Sequence, residues 1–242
     1  MSAKLIALVS GGNNGVGLET CKQLAASGRF HVVMGSRSED KARTAIETLG
    51  HKDITFVQLD ITSDKSIRAA AQVVEHEWGR LDVLVNNAGI CPLTFNREVM
   101  KEVLDVNCIG QGLMTEAFAP LLRASAAPRV IYISSLLGSI ALRTDAKTPG
   151  HDEDYKAYRI SKAALNMLTV CDAWEYPDFK VFAYSPSYVV SDLAGMRQAK
   201  IEQGAETPEG SAKGLLALAS GERDGEAGQH LHDIGGPGVF SW

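Results

Sequence analysis

The sequence of 242 residues contains no apolar run approaching the ~18 residues that a membrane-spanning helix needs. The apolar stretch LIALV near its start is too short for the core of a signal peptide. Basic residues are not in excess either, because the formal net charge is −5. An acidic balance without a basic, aromatic surface disfavours nucleic acid and anionic membranes as partners. We therefore expect a cytoplasmic protein that binds neither.

Cysteine is scarce as well. The four cysteines form no CxxC pair and no cluster with histidine, and they are Cys21, Cys91, Cys108 and Cys171. The sequence therefore predicts reduced thiols and no zinc site. The six histidines show no ligand spacing, so no metal is expected. Cys91 directly follows NNAGI and is expected to line a cleft without a chemical role.

What the sequence does contain is an alternation of short apolar runs with longer helical patterns. Nearly continuous apolar runs are typical of parallel strands covered on both faces, and they span 4–10, 31–36, 54–60, 81–87, 129–134, 179–185 and 229–234. Helices are predicted between them at 15–28, 39–49, 64–77, 97–123, 156–175 and 208–219. This order predicts an α/β fold with a Rossmann-type, doubly wound, seven-stranded, mostly parallel sheet and helices on both faces. One domain over residues 1–242 is expected.

The first predicted strand is followed by SGGNNGVG, in which Gly11, Gly15 and Gly17 precede a helix. Glycine permits a tight turn and a close approach of the backbone to a diphosphate, and the helix N-terminus presents unpaired N–H groups. The spacing differs from G-x-G-x-x-G, so the loop alone is a weak signal. Its position between the first strand and the first helix is what indicates a dinucleotide site.

The end of the second strand indicates which dinucleotide is bound. A cofactor without a 2′-phosphate favours a carboxylate here, whereas this chain has Ser36 and Arg37, which suit a phosphate. NADPH is therefore the predicted cofactor, the alternative being that Arg37 is a solvated loop residue. Asp60 and Ile61, at the end of the third strand, are placed to contact adenine.

Five motifs occur in the order in which the short-chain dehydrogenase/reductase family has them, and the chain most resembles the NADPH-dependent carbonyl reductases of that family. The motifs are SGGNNGVG at 10–17, NNAG at 86–89, DVNCIG at 105–110, ISSLLG at 133–138 and YRISK at 158–162. The resemblance implies a catalytic set made of Asn107, Ser135, Tyr158 and Lys162.

Two of these positions have a neighbour of the same type. Ser135 is chosen over Ser134 because the serine of the family precedes x-x-G, and Tyr158 over Tyr155 because an arginine follows Tyr155 by four residues. With the residues above, the expected cofactor site comprises Gly11, Asn13, Asn14, Gly15, Val16, Gly17, Ser36, Arg37, Asp60, Ile61, Asn87, Ala88, Gly89, Tyr158, Lys162, Pro186, Val189 and Ser191.

The chemistry implied is hydride transfer from a nicotinamide to a carbonyl carbon, with a proton delivered to the oxygen. Tyr158 and Lys162 lie one helical turn apart, so the ammonium is expected to lower the pKa of the phenol by about 1–3 units. Ser135 would orient the carbonyl oxygen. The resemblance also implies that Asn107 helps to hold a water for proton relay. The alternatives are a surface Tyr–Lys pair and a buried Asn107 satisfied by backbone.

The segment between Ser135 and Tyr158 is longer than in most of the family, and the extra part is the polar insertion 143–154. It predicts a loop at the rim of the substrate site, where its acids would favour a cationic or neutral substrate over an anionic one. The alternative is a passive surface insertion.

A second segment, 193–206, is expected to form a lid over the substrate site. Leu193, Met196 and Tyr188 would give the pocket an apolar wall suited to a ketone or aldehyde on a hydrophobic or cyclic skeleton. Ser187 stands where the family usually has glycine, so the loop at 186–191 is expected to follow another path.

The sequence therefore predicts an NADPH-dependent ketoreductase acting on a small-molecule carbonyl substrate. Reduction of an imine or quinone, or NAD-dependent alcohol oxidation, would use the same site. A non-catalytic cofactor-sensing or scaffold protein is the alternative of another class, against which the intact Asn, Ser, Tyr and Lys set argues. Helices at 97–123 and 156–175 form dimer contacts in many relatives. A homodimer or homotetramer is therefore allowed beside a monomer.

Overall fold

The computed structural model describes residues 4–242, which contain one eight-stranded β-sheet. Its strands are β1 (Leu5–Ser10), β2 (Phe30–Ser36), β3 (Ile54–Gln58), β4 (Val83–Asn86), β5 (Arg129–Ile133), β6 (Lys180–Ser185), β7 (His230–His232) and β8 (Gly238–Phe240). They lie in the order β3-β2-β1-β4-β5-β6-β7-β8, and all neighbours are parallel except β7 and β8. The predicted fold class is confirmed.

The predicted count of seven strands is one too low, because the prediction does not include β8. This strand has only three residues and follows Gly235, Gly236 and Pro237. A run this short carries no periodicity by which a strand could be recognised. It is defined by antiparallel pairing with β7, in which His232 lies opposite Gly238.

Within residues 4–242 nine α-helices surround the sheet: α1 (Gly15–Ala26), α2 (Glu39–Leu49), α3 (Asp64–Trp78), α4 (Arg97–Leu104), α5 (Gly110–Arg123), α6 (Ile140–Arg143), α7 (Lys156–Glu175), α8 (Arg197–Glu202) and α9 (Glu209–Ala219). One apolar core lies between the sheet and α3, α5 and α7, and a second between the sheet and α1, α2 and α9. Both faces of the sheet are thus covered, as its apolar strands require. No helix in this part of the chain is long and apolar enough to cross a lipid bilayer.

The helix predicted at 97–123 is interrupted. A π-helical turn, Asp105–Ile109, separates α4 from α5, and the Gly110 N–H donates to the Asp105 carbonyl across it. Gly110 lies against the backbone of Ile61, where a side chain would not fit. The wide turn places Asn107 on the inner side of the helix, where it is fully buried. π-turns inside α-helices often accompany functional sites.

Candidate active site

A cavity of about 1020 Å³ opens at the carboxyl ends of the parallel strands, where ligands bind in sheets of this kind. All eighteen residues predicted to bind the cofactor line this cavity. Ser135, Tyr158 and Lys162 line it as well, whereas Asn107 lies behind its wall. The motifs that are far apart in the sequence therefore meet in one place.

The glycine loop between β1 and α1 is shaped by two residues in the left-handed region, Gly11 with φ 63° and Gly15 with φ 53°. A Cβ atom at Gly17 would lie 2.5 Å from Asn87 Nδ2 and 2.6 Å from the Gly11 carbonyl oxygen. Only glycine therefore lets the first turn of α1 pack against the loop. The N-terminus of α1 faces the cavity, and this cradle fits the diphosphate of a dinucleotide.

The end of β4 is fastened to the glycine loop by side-chain hydrogen bonds. Asn87 Nδ2 donates to the carbonyl oxygens of Ser10 (2.8 Å) and Gly11 (3.2 Å). In return, Ser10 Oγ accepts from the N–H groups of Asn87 (2.9 Å) and Ala88 (3.1 Å). Ser10 is not among the predicted site residues, although its place directly before the loop was a usable signal. The hydrogen bonds of Ser10 and Asn87 therefore fix the loop after β4 against the glycine loop.

Ser36 and Arg37, the two residues predicted to bind a phosphate at the end of β2, have different surroundings. Ser36 is buried, and its hydroxyl donates to the Ser38 carbonyl (3.1 Å) and accepts from the Ser38 N–H (3.2 Å). Both hydrogen bonds of the Ser36 hydroxyl are therefore made to the backbone of the turn that follows β2. Arg37 is exposed at the cavity, and its guanidinium makes no hydrogen bond or salt bridge with any residue in 4–242.

Lys41 lines the same end of the cavity, and the sequence analysis missed it. It lies in the first turn of α2, shortly after Arg37, and both residues line the cavity. The Lys41 ammonium also has no hydrogen-bond or salt-bridge partner within the described chain. Two cations without partners therefore face one end of the cavity, which fits a phosphate group.

Lys162 is buried on the side of α7 that faces the sheet, with only 3% of its surface exposed. Its Nζ donates to the Ile133 carbonyl at the end of β5, at 2.6 Å. Burial lowers the pKa of this ammonium to about 8, because a charge loses solvation in an apolar environment. A Cβ atom at Gly138 would lie 2.7 Å from Lys162 Cβ, so glycine lets the turn after β5 pack directly on α7.

Tyr158 faces the same cavity, and Lys162 Nζ lies 5.6 Å from the centre of its ring. Burial raises the pKa of the phenol above its ordinary value; the charge of Cys91 acts in the same direction, and the Ser135 side chain opposes it. The lowering by Lys162 that the sequence suggested does not occur in the protein by itself. Burial sets the direction of the pKa shift at Tyr158, and the extent of burial cannot be obtained from a four-residue spacing.

The two neighbouring serines after β5 both line the cavity, but their side chains have different hydrogen-bond partners. Ser134 is buried and donates to Asn166 Oδ1 at 2.5 Å. Ser135 lines the cavity and begins the 3-10 turn Leu136–Gly138, where its Oγ accepts from the Leu137 N–H at 3.2 Å. The hydroxyl of Ser135 is therefore the one available to a ligand.

Asn107 is satisfied by its surroundings. Its Nδ2 donates to the Ile90 carbonyl (2.8 Å) and to Ser161 Oγ (3.0 Å), and its Oδ1 accepts from the Ile90 N–H (2.8 Å). This is the alternative considered for it, a buried amide bound to backbone. The contacts join the loop after β4 to α7 one residue before Lys162, so Asn107 positions the site; its part in proton relay stays a prediction.

The insertion 143–154 lies at the rim of the cavity, as predicted. Pro149, Gly150 and Glu153 line the cavity, whereas Asp152 and Asp154 do not. Arg159, in the first turn of α7, holds the insertion by donating to the Gly150 and Glu153 carbonyls. Of the four acids in the insertion, Glu153 is thus the one that lines the cavity.

The lid, residues 193–206, contains α8 and closes the other side of the cavity. Tyr188 and Leu193 line the cavity as predicted, but Met196 lies behind Tyr155, 3.8 Å from its hydroxyl. Ser187 avoids the left-handed region and donates its N–H to Ser211 Oγ (3.2 Å). Ala194 adopts φ 64° instead, which costs a non-glycine residue about 1 kcal/mol or more.

Known proteins resemble this chain over most of its length. The family model described as short chain dehydrogenase matches residues 5–202. The short-chain dehydrogenase anuI of Penicillium roqueforti is 35% identical, over 88% of this chain and 92% of that protein. A (+)-neomenthol dehydrogenase of Arabidopsis thaliana is 30% identical, over 84% and 89%.

Among solved structures, the NADPH-bound carbonyl reductase from chicken fatty liver superposes with a TM-score of 0.85 at 28% identity, covering 99% of this chain and 100% of that one. The sequence relatives, the family model and this likeness agree with the five motifs and with the cavity they form. The chain is therefore a member of the short-chain dehydrogenase/reductase family of oxidoreductases, which use a nicotinamide cofactor.

Proposed function

We propose that the protein is an NADPH-dependent ketoreductase that reduces a ketone or aldehyde. The observation that carries this proposal is the convergence of the Ser135 hydroxyl, the Tyr158 phenol and the buried Lys162 ammonium on one cavity, beside the glycine cradle. The relative solved with NADPH, titled a carbonyl reductase, supports the same reaction class.

The proposed mechanism divides the work among three side chains. NADPH supplies the hydride when bound. Ser135 donates a hydrogen bond from Oγ to the carbonyl oxygen and orients it, and the Tyr158 hydroxyl delivers its proton to that oxygen as negative charge develops there. Because burial raises the pKa of Tyr158, the phenol stays protonated at neutral pH and is ready to act as an acid.

Lys162 stabilises the phenolate that proton transfer leaves at Tyr158. Once the proton has left, a phenolate remains at Tyr158, and the ammonium near its ring offsets that charge in an environment from which water is excluded. Since the pKa of Lys162 is about 8, most molecules carry this ammonium at pH 7 and lose it as the pH rises through 8. The hydrogen bond to Ile133 fixes where the charge sits.

Replacing the proton donor tests the mechanism. We expect Tyr158→Phe to lower kcat by about 10²–10⁴-fold, the usual contribution of a positioned acid, while the Kd for NADPH changes little. Tyr176→Phe, at the end of the same helix and outside the cavity, is the matched control. Steady-state kinetics with a panel of ketones and aldehydes measures both variants. A Tyr158→Phe protein that turns over at the wild-type rate would contradict the proposal.

The preference for NADPH rests on the two unpartnered cations at the end of β2. Arg37 and Lys41 line the cavity where the adenosine ribose is expected, and no carboxylate follows β2 directly. A phosphate on the ribose would pair with both, whereas a ribose hydroxyl gains little from either.

Removing the two cations should weaken NADPH selectively. Each hydrogen bond to a charged group contributes about 1.5–3 kcal/mol, so Arg37→Ala with Lys41→Ala is expected to raise the KM for NADPH roughly 100-fold or more and to leave that for NADH nearly unchanged. Arg43→Ala, on the same helix but paired with Glu39, is the control. Equal losses for both cofactors, or a wild-type preference for NADH, would refute this assignment.

The walls of the cavity support a hydrophobic or cyclic carbonyl compound as the substrate. Beyond the cofactor residues, its lining continues through apolar and aromatic side chains from both rims, namely Leu137, Pro149, Tyr155, Tyr188 and Leu193. Pockets of this composition take up apolar ligands and orient them with a few polar groups. Glu153 adds one negative charge at the rim, which agrees with a neutral or cationic substrate.

An exposed apolar stripe runs along α7. Along α7, Ile160, Met167 and Trp174 recur every seven residues and remain exposed, Trp174 at 86% and Met167 at 64%. A stripe with this spacing lies on one side of a helix, and exposed apolar patches of this kind mark interaction sites. A second α7 with the same stripe would cover it, so we propose a homodimer or a homotetramer built on this contact.

Charge on this stripe should separate the subunits. We expect the wild-type mass in multi-angle light scattering to correspond to two or four chains, and Met167→Glu with Trp174→Glu to halve it at unchanged secondary structure. Val73→Glu, which charges an exposed apolar residue on α3, is the control and should leave the mass unaltered. A wild-type protein that is monomeric at micromolar concentration would rule out this interface.

A further inference from the structure

Lys200, in α8 of the lid, is a buried cation for which the sequence analysis found no role. It lines the cavity with only 8% of its surface exposed. Its Nζ donates to Ser191 Oγ and to the Leu193 carbonyl, both at 2.9 Å, and more weakly to the Ser191 carbonyl at 3.5 Å. All three acceptors are neutral, so they satisfy the donors of the ammonium but not its charge.

No carboxylate within residues 4–242 lies within 4.0 Å of this ammonium. Asp192, the acid whose charge acts on Lys200, lies closer to Arg197, at 3.7 Å. A buried ion without a counter-charge is costly, and burial lowers the pKa of Lys200 accordingly. An anion that enters the cavity beside Lys200 would therefore stabilise its buried ammonium.

The glycine cradle is the place where an anion would meet Lys200. Ser191 Cβ lies 3.6 Å from the position that a Cβ atom at Gly15 would take, so the hydroxyl bound by Lys200 is next to the first residue of α1. The diphosphate of a dinucleotide fits this helix N-terminus. One anionic group would thus be in reach of the helix end, of Ser191 and of Lys200.

We propose that Lys200 binds the diphosphate of the cofactor and so fastens the lid over it, an inference that rests on the proposed dinucleotide-dependent function. The two 2.9 Å hydrogen bonds keep Ser191 and Leu193 in place, and the 3.5 Å contact is exchanged for a phosphate oxygen. Because Leu193 belongs to the substrate wall, the cofactor completes that wall when it binds.

Two nucleotides that lack the nicotinamide separate this role from simple packing. ADP-ribose 2′-phosphate and adenosine 2′-monophosphate share the 2′-phosphate, but only the first ligand carries phosphate groups at the 5′ position, where the diphosphate lies. By calorimetry, Lys200→Met should weaken the first about 10–100-fold, the range for a lost charged hydrogen bond, and the second by less than about 3-fold. Lys200→Arg should retain most of the affinity, and the exposed Lys213→Met is the control.

The dependence of ligand affinity on ionic strength is a second test of the contact between Lys200 and the diphosphate. Losing one ion contact should make the affinity for ADP-ribose 2′-phosphate less sensitive to ionic strength in Lys200→Met than in the wild type. Lys200→Gln, which can still donate to Ser191 and Leu193, gives the same comparison if the methionine variant does not fold.

Unchanged affinity for both ligands, or an equal loss for both, would show that Lys200 only packs the lid and would overturn the inference while leaving the proposed function intact. Failure of the wild-type protein to bind either nucleotide would overturn both.

Discussion

The site depends on holding one ammonium, that of Lys162, out of water. Its hydrogen bond to the Ile133 carbonyl anchors α7 to the end of β5, and the neighbouring elements are arranged around it. Gly138 brings the turn that carries Ser135 against the backbone of Lys162. Asn107, through Ser161, braces the same stretch of α7 from the other side. Displacing the lysine would therefore move the serine and the tyrosine as well as remove a charge.

Burial acts on the two titratable groups of this centre in opposite directions. It lowers the pKa of Lys162 and raises that of Tyr158, so the protein alone favours a neutral phenol. A proton donor has to be protonated before the reaction, which makes this resting state suitable for reduction of a carbonyl. In the proposed mechanism, the ionised phenol becomes favourable only when a positive charge joins Lys162 in the cavity, so proton transfer would depend on the state of the cofactor.

Local sequence pattern was sufficient for much of this account. The glycine loop and the ends of the parallel strands follow from residues close together in the chain, because strand ends in a parallel sheet must meet at one edge. The choice of Ser135 over Ser134 follows from the family resemblance. What the pattern could not supply depends on contacts between distant segments. Lys41 and Lys200 look like ordinary surface lysines until the fold places them on the cavity wall. The sign of the pKa shift at Tyr158 likewise depends on the amount of protein packed around it.

The most direct test is to titrate the Tyr158 phenol with and without the oxidised cofactor, by following tyrosinate absorbance against Tyr158→Phe as the blank. The account predicts that Tyr158 ionises above the ordinary value of about 10 in the free protein and at a distinctly lower pH once NADP⁺ is bound, when a positive nicotinamide joins Lys162 beside it. A phenol that ionises below 10 in the free protein, or at the same pH in both states, would contradict it.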